Sequence, residues 1–225
     1  MLQAGGPPER LRPTFGTYAA MFEDLLGDGF DWSVYDVQAG QWPTAPEAHD
    51  GYIVTGSSAG VYEPDDWIAQ LLGFLRAARG RTRLVGVCFG HQAMAEAFGG
   101  RVIKSPKGRG IGLQRYDVVA REAWMDQAAS FGLPASHQDQ VVELPPGARV
   151  LAASDFTPYA MLDFGDDAIS IQPHPEFDPA YAQALIENRR GTRFTTSEAD
   201  AAIASLDADN DRRRVGAWIE RFLKP

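Results

Sequence analysis

The sequence predicts an α/β protein: an open, mostly parallel sheet flanked by helices, with a small antiparallel strand addition. Three observations predict it. Short apolar runs alternate with helix-period segments through the first part of the chain, the pattern of βαβ units with right-handed crossovers. One such run, residues 84–87, passes through Cys88 straight into a helical segment, with Gly86 and Gly90 flanking the cysteine. The middle of the chain then turns to strand-like stretches separated by turns rather than helices. A chain of 225 residues is long enough for a core that needs no staples. It carries no internal repeat, low-complexity tract or linker, so residues 1–225 are read as a single domain.

Taken in order, residues 1–4 read as the stub of a first strand and 5–13 as a loop. Tyr18, Met21, Phe22, Leu25 and Leu26 recur at helical spacing, and Gly27 and Gly29 end that helix. Residues 32–37 read as a strand, and 39–50 as a proline-containing connection. A short buried strand at 51–55 runs into a small-residue turn at 56–60. Pro64, Asp65 and Asp66 open a helix with apolar Trp67, Ile68, Leu71, Leu72 and Leu75; proline and acids in a first turn suit the helix dipole. The helix after Cys88 carries Met94, Ala95, Ala97 and Phe98 and stops at Gly99 and Gly100. Strands are expected at 112–120, 149–153, 159–164 and 168–172. The last part is helical: Tyr181, Leu185 and Ile186 mark one helix, and a capping box at 197–200 opens a second. Val215, Trp218, Ile219, Phe222 and Leu223 form the apolar stripe of a third.

Composition narrows the function. A net charge of −9 argues against nucleic acid as a partner, because phosphate neutralisation needs clustered cations. The basic stretch 104–109 reads as a solvated loop, and Arg212, Arg213 and Arg214 as helix surface. No apolar run approaches membrane-spanning length, and the N-terminus has no signal-peptide pattern, so no membrane is expected. A single cysteine forms no internal disulfide, which fits a reducing, cytoplasmic location.

That cysteine sits where a sharp strand-to-helix turn is expected. Such a turn crowds the backbone, which is why glycine is needed nearby, and it aims the first helical N–H groups at the sulfur. Those donors and the helix dipole favour the thiolate. A cysteine nucleophile also needs a base and a group to orient that base. Of the four histidines, His174 lies in Gln172-Pro173-His174-Pro175-Glu176, just after an apolar strand. Residues preceding proline are extended, and the period of two then puts His174 and Glu176 on one side. Histidine before acid, two residues apart, excludes an α/β-hydrolase order of nucleophile, acid and distant histidine. His49 and His91 read as structural. Scattered histidines and one cysteine supply no metal-ligand pair, and Gly108, Gly110 and Gly112 lie in a strand-forming region rather than a phosphate cradle; no cofactor is expected.

With these motifs the chain resembles the class I glutamine amidotransferases, which use a Cys-His-Glu triad. The resemblance rests on residues 86–92, on His174-Pro175-Glu176, and on Ser136-His137-Gln138-Asp139-Gln140-Val141, which is similar to a stretch of the GMP synthetase glutaminase domain. It runs from Gly51 to about Arg189 and implies a flavodoxin-like class I glutaminase fold. By that resemblance Cys88 attacks a glutamine side-chain amide, His174 handles the proton, and Glu176 orients His174. Resemblance and geometry together put the oxyanion donors at the backbone N–H groups of Phe89 and Ser57. Gly56, Gln92, His137 and Gln138 match substrate-binding positions. The family usually has Gly-Gly-Pro where this chain has Gly56-Ser57-Ser58, a change that widens the leaving-group side if the turn opens. The expected activity is glutamine hydrolysis through a cysteine thioester, releasing ammonia to an unseen acceptor or synthetase partner. The alternatives are a free-standing γ-glutamyl peptidase and a catalytically silent regulatory module.

Overall fold

The chain is described by a computed structural model covering residues 1–165 and 167–224. Its main sheet is mixed and, among the described residues, has nine strands. The parallel half runs β2 (Tyr35–Asp36), β1 (Leu2–Gln3), β3 (Gly51–Val54), β4 (Arg83–Val87) and β11 (Ala168–Ile171). Beyond β11 the sheet continues antiparallel through β10 (Met161–Gly165), β9 (Arg149–Ala153), β6 (Gly110–Val118) and β7 (Ser130–His137). A separate two-stranded antiparallel sheet joins β5 (Arg101–Lys104) to β8 (Asp139–Glu143).

The central strands are apolar on both faces, as a sheet covered by helices on both sides requires. Val85 and Val87 of β4, with Ile53, Ile169 and Ile171, pack into one layer with Phe22 of α2 (Tyr18–Leu26) and Val215 and Trp218 of α7 (Arg212–Leu223). Leu84, with Tyr52 and Val54, packs into the opposite layer with Leu71 and Leu75 of α3 (Asp66–Ala78) and Phe89 of α4 (Phe89–Ala97). Further along, α5 (Pro179–Arg189) and α6 (Thr196–Ser205) cover β6, burying Phe194 and Ala199 beside Ile111 and Leu113. The short helix α1 (Arg12–Phe15) precedes α2. Among the described residues, no helix is long and apolar enough to cross a membrane.

Several expectations need correction. The strand expected at 32–37 shrinks to Tyr35–Asp36, because only those two residues pair with β1. The antiparallel part is larger than expected: β5, β7 and β8 are strands as well. Gly132 and Pro134 hide β7, and Pro134 is tolerated because β7 is the edge strand. The capping box of α6 lies two residues earlier than expected: Thr195 Oγ1 accepts from the Glu198 N–H, and Glu198 reaches back to the Thr195 N–H at 2.7 Å.

Candidate active site

The register of three parallel strands assembles the site. Ile171 pairs with Val87 and Val54 with Gly86, so the segments leaving β3, β4 and β11 emerge side by side at the carboxyl edge of the sheet. Cys88 is the single residue between β4 and α4, where it caps the helix. Its φ of 53° is positive, a strained conformation for a residue with a side chain, and its N–H donates to the Ile171 carbonyl at 2.9 Å. The flanking glycines make this turn possible. A Cβ on Gly86 would stand 2.4 Å from the Gly90 carbonyl oxygen, and one on Gly90 would stand 2.3 Å from the Val54 carbonyl oxygen.

His174 and Glu176 follow β11 on the extended segment that Pro173 and Pro175 impose. The His174 N–H donates to the Pro134 carbonyl at 2.8 Å, which fastens the segment to β7. Nδ1 of His174 lies 2.7 Å from Glu176 Oε1, and both side chains are almost fully buried. Phe177 stacks flat under the imidazole, with centroids 3.8 Å apart and planes 5° apart. The Cys88 sulfur lies close enough to act on the ring electrostatically. Gly56 closes the group: a Cβ there would lie 3.1 Å from His174 Cε1 and 3.7 Å from Cys88 Cβ.

Burial alone would drive His174 to lower pKa, but the Glu176 carboxylate and the Cys88 sulfur outweigh it and push it up to about 10. The ring is thus held as an imidazolium beside the sulfur. The other buried histidines behave oppositely: burial lowers His91 to about 3 and His137 to about 4, leaving both neutral.

Phe89 is the first residue of α4, so its N–H stands outside the helical hydrogen-bond ladder. Ser57 follows Gly56 and lines both of the adjoining cavities that border Cys88. One cavity, of about 280 Å³, contains His174 and is walled by Tyr18, Phe177, Asn188 and Arg189. The other, of about 300 Å³, holds Gln92, His137, Gln138 and Asp139 among its walls. Gln92 is buried rather than on the helix surface, and its Nε2 donates to the Asp139 carbonyl at 3.0 Å and to Gln172 Oε1 at 3.1 Å. His137 Nδ1 meets the same carbonyl at 3.2 Å. His91 lies off the site, bonded to Ser170 Oγ at 2.7 Å.

Three side chains at the site carried no sequence signal strong enough to single them out. Tyr62 donates its hydroxyl to Asp139 Oδ2 at 3.0 Å across the second cavity, and burial raises the Asp139 carboxyl. Arg189, at the end of α5, donates to Ser136 Oγ at 2.6 Å. Arg212 corrects the surface reading: its side chain is only 12% exposed and donates to the Pro175 and Glu176 carbonyls at 3.4 and 3.3 Å. The run of three arginines concealed it, because its acceptors are distant in sequence.

Comparison with known proteins fits this geometry. The family profile described as glutamine amidotransferase class-I matches residues 31–190. A γ-glutamyl peptidase of Arabidopsis thaliana (gamma-glutamyl peptidase 4) is 33% identical over 228 aligned residues, covering 96% of this chain and 91% of the relative. A glutamine-hydrolysing GMP synthase of Thermomicrobium roseum is 36% identical over 132 residues, covering 56% of this chain and 23% of that enzyme. The crystal structure of a glutamine amidotransferase from Methylobacillus flagellatus superposes with a TM-score of 0.74 at 21% identity, covering 91% of this chain and 88% of the other, and so shares the fold.

Proposed function

The chain belongs to the class I glutamine amidotransferase family, and from that premise we propose that it hydrolyses γ-glutamyl amide bonds through a thioester on Cys88. The observation that carries this is the alignment of Cys88, His174 and Glu176, with Glu176 Oε1 2.7 Å from His174 Nδ1 and Gly56 leaving the ring open to the sulfur. Cys88 Sγ, as thiolate, adds to the γ-carbonyl carbon of the substrate. The oxyanion is held by the N–H groups of Phe89 and Ser57. The C–N bond breaks, and the departing nitrogen takes the proton from the His174 imidazolium. Water then adds to the thioester carbonyl and gives a proton to His174, the C–S bond breaks, and glutamate leaves with the thiolate restored. Glu176 orients the ring throughout and stabilises its charge whenever the ring is protonated. Gln92, His137 and Gln138 supply the walls that receive the glutamyl moiety, and Gly56 lies against Cys88 and His174 where the bond is broken.

Within this chemistry a leaving group larger than ammonia is favoured. The peptidase relative aligns over 96% of this chain, whereas the GMP synthase relative aligns over 56% of it. The His174-side cavity of about 280 Å³ leaves room for a peptide amine. Glutamine hydrolysis coupled to a synthetase partner is the second reading, supported by the likeness to the GMP synthase. The single cysteine, which must stay a free thiol, suits the cytoplasm.

The test is turnover by the purified chain with glutamine, glutathione and a γ-glutamyl anilide. Release of cysteinylglycine or aniline with little ammonia from glutamine fits the peptidase reading. Cleavage of glutamine alone selects the amidotransferase reading, and no turnover with an unmodified Cys88 rejects both.

A further inference from the structure

Arg189 plays no part in the bond-breaking chemistry, yet it stands beside Cys88. It is half-buried, and the one hydrogen bond of its side chain among the described residues is to neutral Ser136. No carboxylate faces it there; its electrostatic neighbours are Tyr18, Arg193, Tyr181 and Cys88. Burial, reinforced by Arg193, holds the guanidinium below its usual range. Arg193 is exposed on the same rim and, among the described residues, has no acidic partner either. Two adjacent cations without a counter-ion, one of them partly desolvated, are costly to maintain, and an anion arriving with the substrate relieves that cost.

The two cavities differ in chemistry, which tells where that anion belongs. His174 gives its proton to the leaving nitrogen, so the leaving group occupies the cavity that contains His174. The second cavity lacks His174 but offers Lys104 and Arg109 together with Glu63 and Asp139, charges of both signs suited to the α-amino and α-carboxylate groups of the glutamyl end. Arg189 and Arg193 border both spaces, but the Arg189 charge lies near Tyr18, which walls only the His174 side.

We propose that Arg189 and Arg193 form a subsite for a carboxylate carried by the leaving amine. The preferred substrates are then γ-glutamyl peptides with a free C-terminal carboxylate close to the scissile bond, rather than glutamine or uncharged γ-glutamyl amides. This rests on the hydrolysis proposed above. A planar guanidinium paired with a carboxylate gives both charge and orientation, so it fixes the leaving nitrogen within reach of His174.

The test compares kcat/KM for γ-glutamylglycine and γ-glutamylglycinamide, which share a leaving nitrogen and differ by one charge. The full chain is measured as wild type, Arg189→Gln, Arg189→Lys and Arg193→Gln. The wild type is expected to favour the acid by about 10- to 100-fold. That ratio should collapse toward one in Arg189→Gln, recover in part in Arg189→Lys, and fall by a few-fold in Arg193→Gln, mainly through KM. Because Arg193 is exposed, its variant carries the test if Arg189→Gln fails to fold. Equal cleavage of acid and amide by the wild type, or equal losses on both substrates in the variants, would overturn the subsite. If the wild type cleaves no γ-glutamyl compound, glutamine included, the hydrolysis reading itself falls.

Discussion

Replacing Glu176 by glutamine keeps the size of the side chain and removes its charge, which isolates what the carboxylate does for His174. The 2.7 Å contact between Nδ1 and Oε1 sets the charge centres roughly 4 Å apart. At an effective dielectric of about 20 such a pair is worth about 4 kcal/mol. At about 1.4 kcal/mol per pH unit, that corresponds to about three units. His174 should therefore fall from about 10 to near or below the ordinary histidine value, since burial then acts against a weaker opposition. The sign follows from linkage: a raised histidine stabilises the folded state fully below its unfolded pKa, and this contribution is lost as pH rises through the folded pKa. The wild-type window thus runs from about 6.5 to about 10, and in Glu176→Gln the loss occurs about three units earlier. The assay is a titration of the imidazole signals by NMR. The chain has four histidines, and His91 and His137, held neutral by burial, do not titrate in this range. His174→Asn identifies the signal of interest, and the alkaline limb of kcat/KM should shift with it. An unchanged His174 titration in Glu176→Gln would refute the electrostatic account of the pair.

Other perturbations give separate outcomes. In Gly90→Ala the new Cβ meets the Val54 carbonyl oxygen at 2.3 Å, and neither backbone can yield cheaply. A loss of about 1–3 kcal/mol is expected, seen by calorimetry as a Tm lower by about 2–12 °C, and an unchanged Tm would contradict the crowding argument. Arg212→Met removes the donors to the Pro175 and Glu176 carbonyls and should lower kcat about ten-fold or more with little change in KM, measured by steady-state kinetics. An effect on KM alone would deny Arg212 its role in positioning the His174 segment. Cys88→Ser should cut turnover by at least about 1,000-fold with an unaltered melting curve, and full activity would remove the thioester from the mechanism.

The parts legible in the sequence share a cause: a local steric rule forced the residue choice. Gly86 and Gly90 are required by contacts of 2.4 and 2.3 Å, so the turn at Cys88 left a mark in the sequence. Pro173 and Pro175 restrict the residues before them, so the placement of His174 and Glu176 on one side could be read in advance. What escaped notice depends on partners far along the chain. β7 contains Gly132 and Pro134 and is not among the strands the sequence predicts, yet its Pro134 carbonyl anchors the His174 N–H. The strands expected at 1–4 and 32–37 exist, but only as Leu2–Gln3 and Tyr35–Asp36, because where pairing stops depends on the neighbouring strand rather than on local pattern. Arg212 looks like surface charge until α7 lies against the segment carrying Pro175 and Glu176.

These long-range dependencies mean that the core, more than the site itself, sets the chemistry. Cys88 and His174 meet only because Ile171 lies opposite Val87 in the β4–β11 register. A slip by one residue would turn every side chain of β11 to the other face and carry His174 away from the sulfur. That register is held by burial of Ile169 and Ile171 with Val85 and Val87 beneath α2 and α7, and of Ala168 with Leu84 in the opposite layer. Residues with no reactive atom therefore decide whether the imidazole can reach the cysteine. The antiparallel extension adds the remaining constraint, because edge strand β7 fastens the His174 segment through the Pro134 carbonyl. The strain at Cys88 is sustained by the same arrangement: its N–H is tied to Ile171, so the turn and the register must form together.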